Sequence, residues 1–206
     1  MITGFLVPIS NKELKTMKLS VIINSYFIDD EKPNILKRCM DSMQGADEIL
    51  ALATIPGSNI SFAEGYNRIS KLATGDFIMV IGDNFICEGN LKDLCIPNFV
   101  TVPKINGINY PGEWMMVYCM PRDIFEDLSK DYGLYDPIFN NGSHWEDTDL
   151  WRRTRIAANI IGVPSVNCYK QGDVKGRTIS KLPDWLNRIE INKKAYLDKW
   201  GDTSLG

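Results

Sequence analysis

The order of elements in residues 18–85 constrains this chain more than any other feature, because strand patterns alternate there with helix patterns. Three apolar runs rich in β-branched residues predict buried strands: residues 18–23, 48–53 and 76–81. Between them, residues 34–44 carry apolar side chains at helical spacing, and Ser61 with Glu64 forms the capping box of a second helix. We therefore expect an α/β fold with a mainly parallel central sheet, helices on both faces and a Rossmann-like first half.

Polar residues follow each of these strands. Ligands of parallel sheets bind at the carboxyl ends of the strands. The residues at these ends are Asn24, Ser25 and Tyr26, then Ala53 and Thr54, then Gly82, Asp83 and Asn84. The Asp83 carboxylate suits a hard cation such as Mg²⁺ or Mn²⁺, whereas Gly-Asp-Asn is equally typical of a plain turn.

The second half of the chain has a less regular pattern. It predicts strands at 99–102 and 113–118, a short helix at 121–129, a helix from Ser143 to about Ala158, and a last strand at 163–169. An amphipathic C-terminal helix ends at Gly201.

Three acids crowd the start of the helix predicted from Ser143. They are Glu146, Asp147 and Asp149. A capping box formed with Ser143 and the helix dipole account for Glu146. Acids grouped after a loop also suit a general base with a raised pKa, and both interpretations stay open here.

A basic segment follows the last predicted strand, with Lys170, Lys175, Arg177 and Lys181 within twelve residues. Such a run is either a solvated loop or a flap over a phosphate-bearing ligand. Arg68 and Lys71 of the second helix would add to the same positive charge.

Composition narrows the function classes. The 206 residues carry a net charge of −3, so the chain has no global attraction to nucleic acid. The five cysteines lack any C-x-x-C spacing and there is one histidine, His144, which argues against a zinc site and predicts reduced core thiols. No apolar run is long enough to span a bilayer, and the first residues lack the basic region of a signal peptide, so we expect a cytosolic protein.

Four segments together resemble the family-2 glycosyltransferases, which have the GT-A fold. The region of resemblance is 18–169, and the segments are residues 19–26, 62–67, 73–84 and 145–153. The resemblance implies one domain at 18–206 after an N-terminal appendage at 1–17. Within it, 18–85 would bind the nucleotide sugar, 86–183 would form the acceptor and catalytic half, and 184–201 would be the C-terminal helix.

The resemblance also implies an activity and a set of site residues. The activity is transfer of a sugar from a nucleotide-diphosphate sugar to an acceptor hydroxyl, with inversion. Asp147 stands at the position of the general base, with Glu146 as its helix-capping neighbour. The donor-binding positions implied are Asn24, Ser25, Tyr26, Asn67, Arg68, Asp83, Asn84, Lys170 and Arg177.

Departures from the family pattern concern the metal and the nucleotide base. Gly82 and Asn84 replace the acids of the D-x-D motif, and Lys170 stands where a histidine is usual. Asp83 and Asn84 remain the only candidate ligands for Mn²⁺ or Mg²⁺ in this motif. We therefore predict weak metal dependence, with Lys170 and Arg177 carrying part of the diphosphate charge. Ala53 and Thr54 replace the acid that usually reads the base, so a UDP-sugar is only the family expectation.

Three alternatives remain. The altered D-x-D motif would also suit an inactive protein that binds a sugar nucleotide or a glycan. A nucleotidyltransferase would need a Gly-rich basic loop after the first strand, and residues 24–30 contain two acids and no glycine. A glycosyltransferase acting on nucleic acid is supported by the basic segment alone, and would show steep salt dependence.

Overall fold

The computed structural model describes residues 16–26, 31–54, 60–109, 116–139, 144–171 and 185–203. Its strands are β1 (Leu19–Tyr26), β2 (Glu48–Thr54), β3 (Phe77–Gly82), β4 (Phe85–Glu88), β5 (Phe99–Ile105), β6 (Val117–Pro121) and β7 (Asn159–Lys170). Its helices are α1 (Lys32–Asp41), α2 (Phe62–Ser70), α3 (Arg122–Ser129), α4 (Glu146–Ala157) and α5 (Trp185–Trp200).

The strands form one seven-stranded sheet in the order β2-β1-β3-β6-β5-β7-β4. Strand β1 pairs in parallel with β2 on one side and with β3 on the other, which confirms the parallel core predicted from the first 85 residues. The rest of the sheet is mixed, because β6 runs antiparallel to β3 and β5, and β4 runs antiparallel to β7, whereas β5 and β7 are parallel.

Helices cover both faces of the sheet, as predicted. Alternate residues of a strand face opposite sides, so Val21 and Ile23 pack with Leu36 of α1, whereas Ile22 packs with Tyr66 of α2. Helices α3 and α4 join α2 on this second face. The five cysteines are free and buried, as expected for core thiols.

Some predicted boundaries shift, and in each case tertiary pairing explains the shift. Strand β1 continues through Asn24 and Ser25, which local composition marks as a turn, because these residues pair with Leu52 and Ala53 of β2. Strand β7 begins at Asn159 rather than at 163, because its first residues pair with β5. The short strand β4, which sequence patterns missed, is held by the end of β7.

Two helix ends are fixed by capping residues that lie close to them in sequence. The Ser61 hydroxyl accepts the N–H of Glu64 at 3.1 Å, which confirms the predicted N-cap of α2. The Glu64 carboxylate also accepts the Arg68 guanidinium at 3.1 Å. Helix α5 ends before Gly201, whose φ of +79° is the left-handed conformation of a C-terminal glycine. Within the described ranges, no helix combines the length and apolar character that crossing a bilayer requires.

Candidate active site

Asp83 lies at the carboxyl edge of the sheet, where β1, β2 and β3 end together. Its Oδ2 accepts the hydroxyl of Ser25 at 2.5 Å and the ammonium of Lys32 at 3.1 Å. Thr54, at the end of β2, donates to the Ser25 carbonyl at 3.2 Å. The structure thus brings together the ends of all three strands predicted to face the ligand.

Lys32 is a residue of this edge that sequence reasoning missed. It is 6% exposed and opens helix α1, where a positive charge opposes the helix dipole. The ion pair with Asp83 offsets this unfavourable position.

Asn24 lies on the opposite face of β1, against helix α2. Its Nδ2 donates to the Phe62 carbonyl at 3.2 Å, while its Oδ1 is buried and accepts no hydrogen bond from the described residues. A Cβ added at Gly65 would lie 2.4 Å from Asn24 Nδ2, so glycine is what lets α2 approach this amide. Tyr26 follows at the end of β1 and is half-buried.

The end of β7 lies beside Asn84. Lys170 pairs with Phe85, and the N–H of Gln171 donates to the Asn84 carbonyl at 2.7 Å. Gln171, which sequence reasoning also missed, accepts from Arg38 of α1 at 2.8 Å and so ties this strand end to the helix. The structure therefore places Lys170 next to the Asp83 turn. Arg177 lies outside the described residues.

Two predicted donor-binding residues have other contacts in the structure. The Asn67 amide donates to the Tyr135 carbonyl at 2.7 Å and accepts the Tyr135 N–H at 2.9 Å, so it holds a neighbouring loop. Arg68 pairs with Glu64 on the exposed surface of α2, with 58% of its side chain exposed. Neither side chain joins the group around Asp83.

The backbone just before α4 has an unusual conformation. His144 and Trp145 adopt φ values of 59° and 74°, a region that non-glycine residues seldom enter. Helix α5 holds this segment, because Asn192 donates to the His144 carbonyl at 3.1 Å and the Tyr196 ring packs 5.0 Å from that of Trp145. Strain of this kind is maintained only where the surrounding structure enforces it.

The predicted capping role of Glu146 is wrong, because α4 begins at Glu146 and not at 143, with Trp145 at the N-cap. Glu146 is 4% exposed, and its Oε2 is buried without a hydrogen-bond donor among the described residues. Burial, reinforced by the negative charge of Asp147, raises the pKa of Glu146 to about 8. This carboxyl is therefore mostly protonated at neutral pH.

Asp147 differs from its neighbour in being half-buried. Its Oδ1 accepts the N–H of Thr148 at 2.8 Å and lies 3.4 Å from the Thr148 hydroxyl, which orients the carboxylate. Its Oδ2 accepts no hydrogen bond from the described residues. The helix start thus pairs a buried neutral acid with a more accessible, oriented carboxylate.

A cluster of buried tyrosines contacts the end of β3 and helix α4, because the Tyr66 hydroxyl donates to the Ile81 carbonyl at 2.9 Å and Leu150 and Trp151 of α4 belong to the same hydrophobic cluster. The Tyr66 and Tyr135 rings are 5.3 Å apart, and burial raises the pKa of both. The negative charge of Asp83 helps to raise the pKa of Tyr66. The negative charge of Asp147 helps to raise the pKa of Tyr135 and of Tyr118. The charges of both carboxylates therefore contribute to raised pKa values within this one cluster.

The third acid of this helix has an anchoring role. Asp149 is fully buried and accepts from Arg153 at 2.9 Å, Lys199 at 2.8 Å and the indole of Trp200 at 2.9 Å. Lys199 and Trp200 belong to the C-terminal helix α5, so Asp149 connects α4 to α5.

The residues around Asp83 supply few ligands of their own to a divalent cation. Mg²⁺ and Mn²⁺ favour several carboxylate, carbonyl or water oxygens around one ion. Among the described residues no three His, Cys, Asp or Glu side chains converge in this way, and the single carboxylate here already holds the Lys32 ammonium.

Comparison by sequence finds no relatives: no protein-family profile matches the chain, and no curated protein matches it. Comparison by structure does. The chain is similar to GalNAc-T7 with UDP, GalNAc and Mn²⁺, with a TM-score of 0.59 and 11% identity over 93% of this chain and 52% of that one.

Two other similar structures come from Pyrobaculum calidifontis and S. aureus. The mannosyltransferase PcManGT from Pyrobaculum calidifontis, in complex with GDP-Man and Mn²⁺, gives a TM-score of 0.52 at 12% identity, over 79% of this chain and 59% of that one. S. aureus TarS in complex with UDP gives 0.55 at 12% identity, over 88% of this chain and 66% of that one. The chain spans about half the length of the GalNAc-T7 structure. At identities this low, structural similarity establishes the fold alone. The predicted GT-A-like fold is confirmed.

Proposed function

We propose that this protein, a chain with the GT-A fold, is an inverting glycosyltransferase that moves a sugar from a nucleotide-diphosphate sugar to an acceptor hydroxyl. The observation that carries the proposal is the relation between two carboxylates. The Tyr66 hydroxyl donates to the Ile81 carbonyl, two residues before Asp83, and Tyr66 belongs to the same buried cluster as Leu150 and Trp151 of α4, which supports a donor-binding edge close to the helix that carries Asp147.

Asp147 would serve as the general base. It would take the proton of the acceptor hydroxyl as that oxygen attacks the anomeric carbon, and a positioned base contributes about 10²–10⁴-fold to the rate. When the environments of two neighbouring carboxyl groups separate their pKa values, the group with the lower pKa is the one suited to act as a base. Here burial raises the pKa of Glu146 to about 8, which supports Asp147 as the base.

The donor would lie along the ends of β1 and β3. Asn24, Ser25 and Tyr26 would contact the nucleotide, and Asp83 with Asn84 would lie near the diphosphate. Lys170, which no carboxylate of the described residues neutralises, would add positive charge near the leaving group. Similar structures contain UDP or GDP-Man, so UDP- and GDP-sugars are the first donors to test.

Asp147→Asn tests the chemistry. The amide keeps the size of the side chain and cannot accept a proton, so sugar transfer should fall by about 10²–10⁴-fold. The affinity for the nucleotide sugar, measured by titration calorimetry, should stay unchanged. Asp127→Asn, an exposed acid of α3, is the matched control and should keep both properties.

The outcome also decides between the proposal and its main alternative. If the wild-type protein binds a nucleotide sugar but neither transfers nor hydrolyses it, the non-catalytic binding protein replaces the enzyme. If Asp147→Asn turns over as fast as the wild type, Asp147 is not the base.

A further inference from the structure

We propose that the Lys32 ammonium takes the place of a divalent cation beside Asp83, so that this site binds a nucleoside diphosphate without metal. The inference rests on the proposed function and deepens it, because it names the group that would face the diphosphate. It also differs from the expectation for Lys170 and Arg177, since the charge comes from helix α1.

The first argument is the contact itself. Lys32 Nζ lies 3.1 Å from Asp83 Oδ2 and 3.4 Å from Oδ1, so the ammonium spans both oxygens of the carboxylate. Oδ2 also accepts the Ser25 hydroxyl. A metal ion at this carboxylate would meet the positive charge of the ammonium.

The second argument is burial. The side chains of Lys32 and Asp83 are 8% and 12% exposed. Buried charges are kept only when they are paired, and a displaced Lys32 would leave a buried ammonium without a counter-charge. The pair therefore opposes entry of a second cation instead of assisting it.

The third argument is donor capacity. An ammonium has three N–H donors and no acceptor. Within the described part of the chain, Asp83 is the only group that accepts from Lys32. The remaining capacity is available to phosphate oxygens at the carboxyl edge of the sheet, where ligands of such sheets bind.

The test measures nucleotide binding and needs no turnover. UDP and GDP are titrated by calorimetry into the protein in EDTA and, separately, in Mn²⁺. For the wild type we expect binding of at least one nucleotide, with an affinity that changes by less than about threefold between the two conditions, because the protein adds no ligand to the ion.

Lys32→Met keeps the length of the side chain and removes its charge. In EDTA we expect the affinity of this variant to fall by about 10- to 100-fold, the effect of losing one hydrogen bond to a charged group. Lys37→Met is the matched control: it lies on the same helix, 71% exposed in a pair with Asp41, and should bind like the wild type.

The results distinguish the proposed role of Lys32 from the proposed glycosyltransferase function. Wild-type binding that appears only with Mn²⁺, or Lys32→Met binding at wild-type affinity in EDTA, overturns the role of Lys32 and leaves the glycosyltransferase proposal standing. Binding of neither nucleotide in either condition overturns the proposed function and the inference with it. If Lys32→Met fails to fold, the wild-type titrations still decide whether this site binds a nucleotide without metal.

Discussion

Burial of the Glu146 carboxyl makes the stability of the folded protein depend on pH. This carboxyl is buried at the start of α4, without a donor for Oε2 among the described residues, and beside the charge of Asp147. An ordinary Glu titrates near 4.5, whereas burial raises the pKa of Glu146 to about 8. The folded state therefore retains a proton that the unfolded state releases.

This difference predicts a pH-dependent effect of Glu146→Gln. Between about pH 5 and pH 8 the unfolded chain loses its Glu146 proton and the folded chain keeps it, so rising pH destabilises the wild type through this group. The amide cannot titrate, so the stability of the variant relative to wild type should rise across that window by a few kcal/mol. Thermal unfolding of both proteins from pH 4 to pH 9 measures it. A difference in melting temperature that stays constant with pH would contradict this account of Glu146.

Gly65→Ala tests the close approach of α2 to Asn24. The new Cβ would meet the Asn24 amide at 2.4 Å, so the variant should lose about 1–3 kcal/mol of unfolding free energy through overpacking. Urea denaturation measures the loss. Adding Asn24→Ala should recover part of it, because the two sites are in contact. If Gly65→Ala is as stable as the wild type, Asn24 is not packed as described.

At the residue scale, sequence reasoning succeeded where the signal is local. The Ser61 cap was predictable because its partner is three residues away. Lys32 was missed because its partner Asp83 is 51 residues distant, and only the fold brings them together.

At the scale of elements, α5 acts as the support of α4. Its residues Lys199 and Trp200 bind Asp149, and Asn192 holds the strained turn at His144. The acids at the start of α4 thus have three different roles: Asp149 anchors the helix, Glu146 is buried, and Asp147 stays accessible.

Asp149→Ala tests this support. Removing the carboxylate leaves Arg153 without its buried ion partner, whereas Lys199 keeps Asp136, and the loss of the Arg153 pair should cost about 3–5 kcal/mol of unfolding free energy. The exposed pair of Lys130 with Asp127 provides the control, because Asp127→Ala should change stability by less than about 0.5 kcal/mol. Equal effects of the two substitutions in denaturant titrations would show that Asp149 is not an anchor.

Sequence patterns predicted the elements whose own residues carry a full strand or helix repeat of apolar side chains. Strands β1 to β3 and helices α1 and α2 have apolar repeats, and their order implies parallel pairing. Strand β4 has only four residues, and its pairing with β7 is decided by long-range contacts. The start of α4 was misplaced because a turn with two left-handed residues precedes it, and no local motif announces that turn.

At the scale of the molecule, the GT-A fold explains why the candidate residues are so dispersed in sequence. The parallel core carries the strand ends around Asp83, and the mixed half returns through β6 and β7 to the same region. The start of β6 lies beside Gly82, whose N–H donates to the Met116 carbonyl at 3.1 Å. The order of elements predicted the first half of this arrangement, whereas the second half depends on pairings between distant segments.

A crystal structure with a bound nucleoside diphosphate tests the central claim most directly. The protein would be soaked with UDP or GDP, whichever gives the larger thermal stabilisation in solution. We predict the nucleotide along the carboxyl ends of β1 and β3, with its diphosphate at Lys32 and its terminal phosphate facing the start of α4 at Asp147. A nucleotide bound elsewhere, or one whose phosphates face away from Asp147, would contradict the claim that these elements form one glycosyltransferase site.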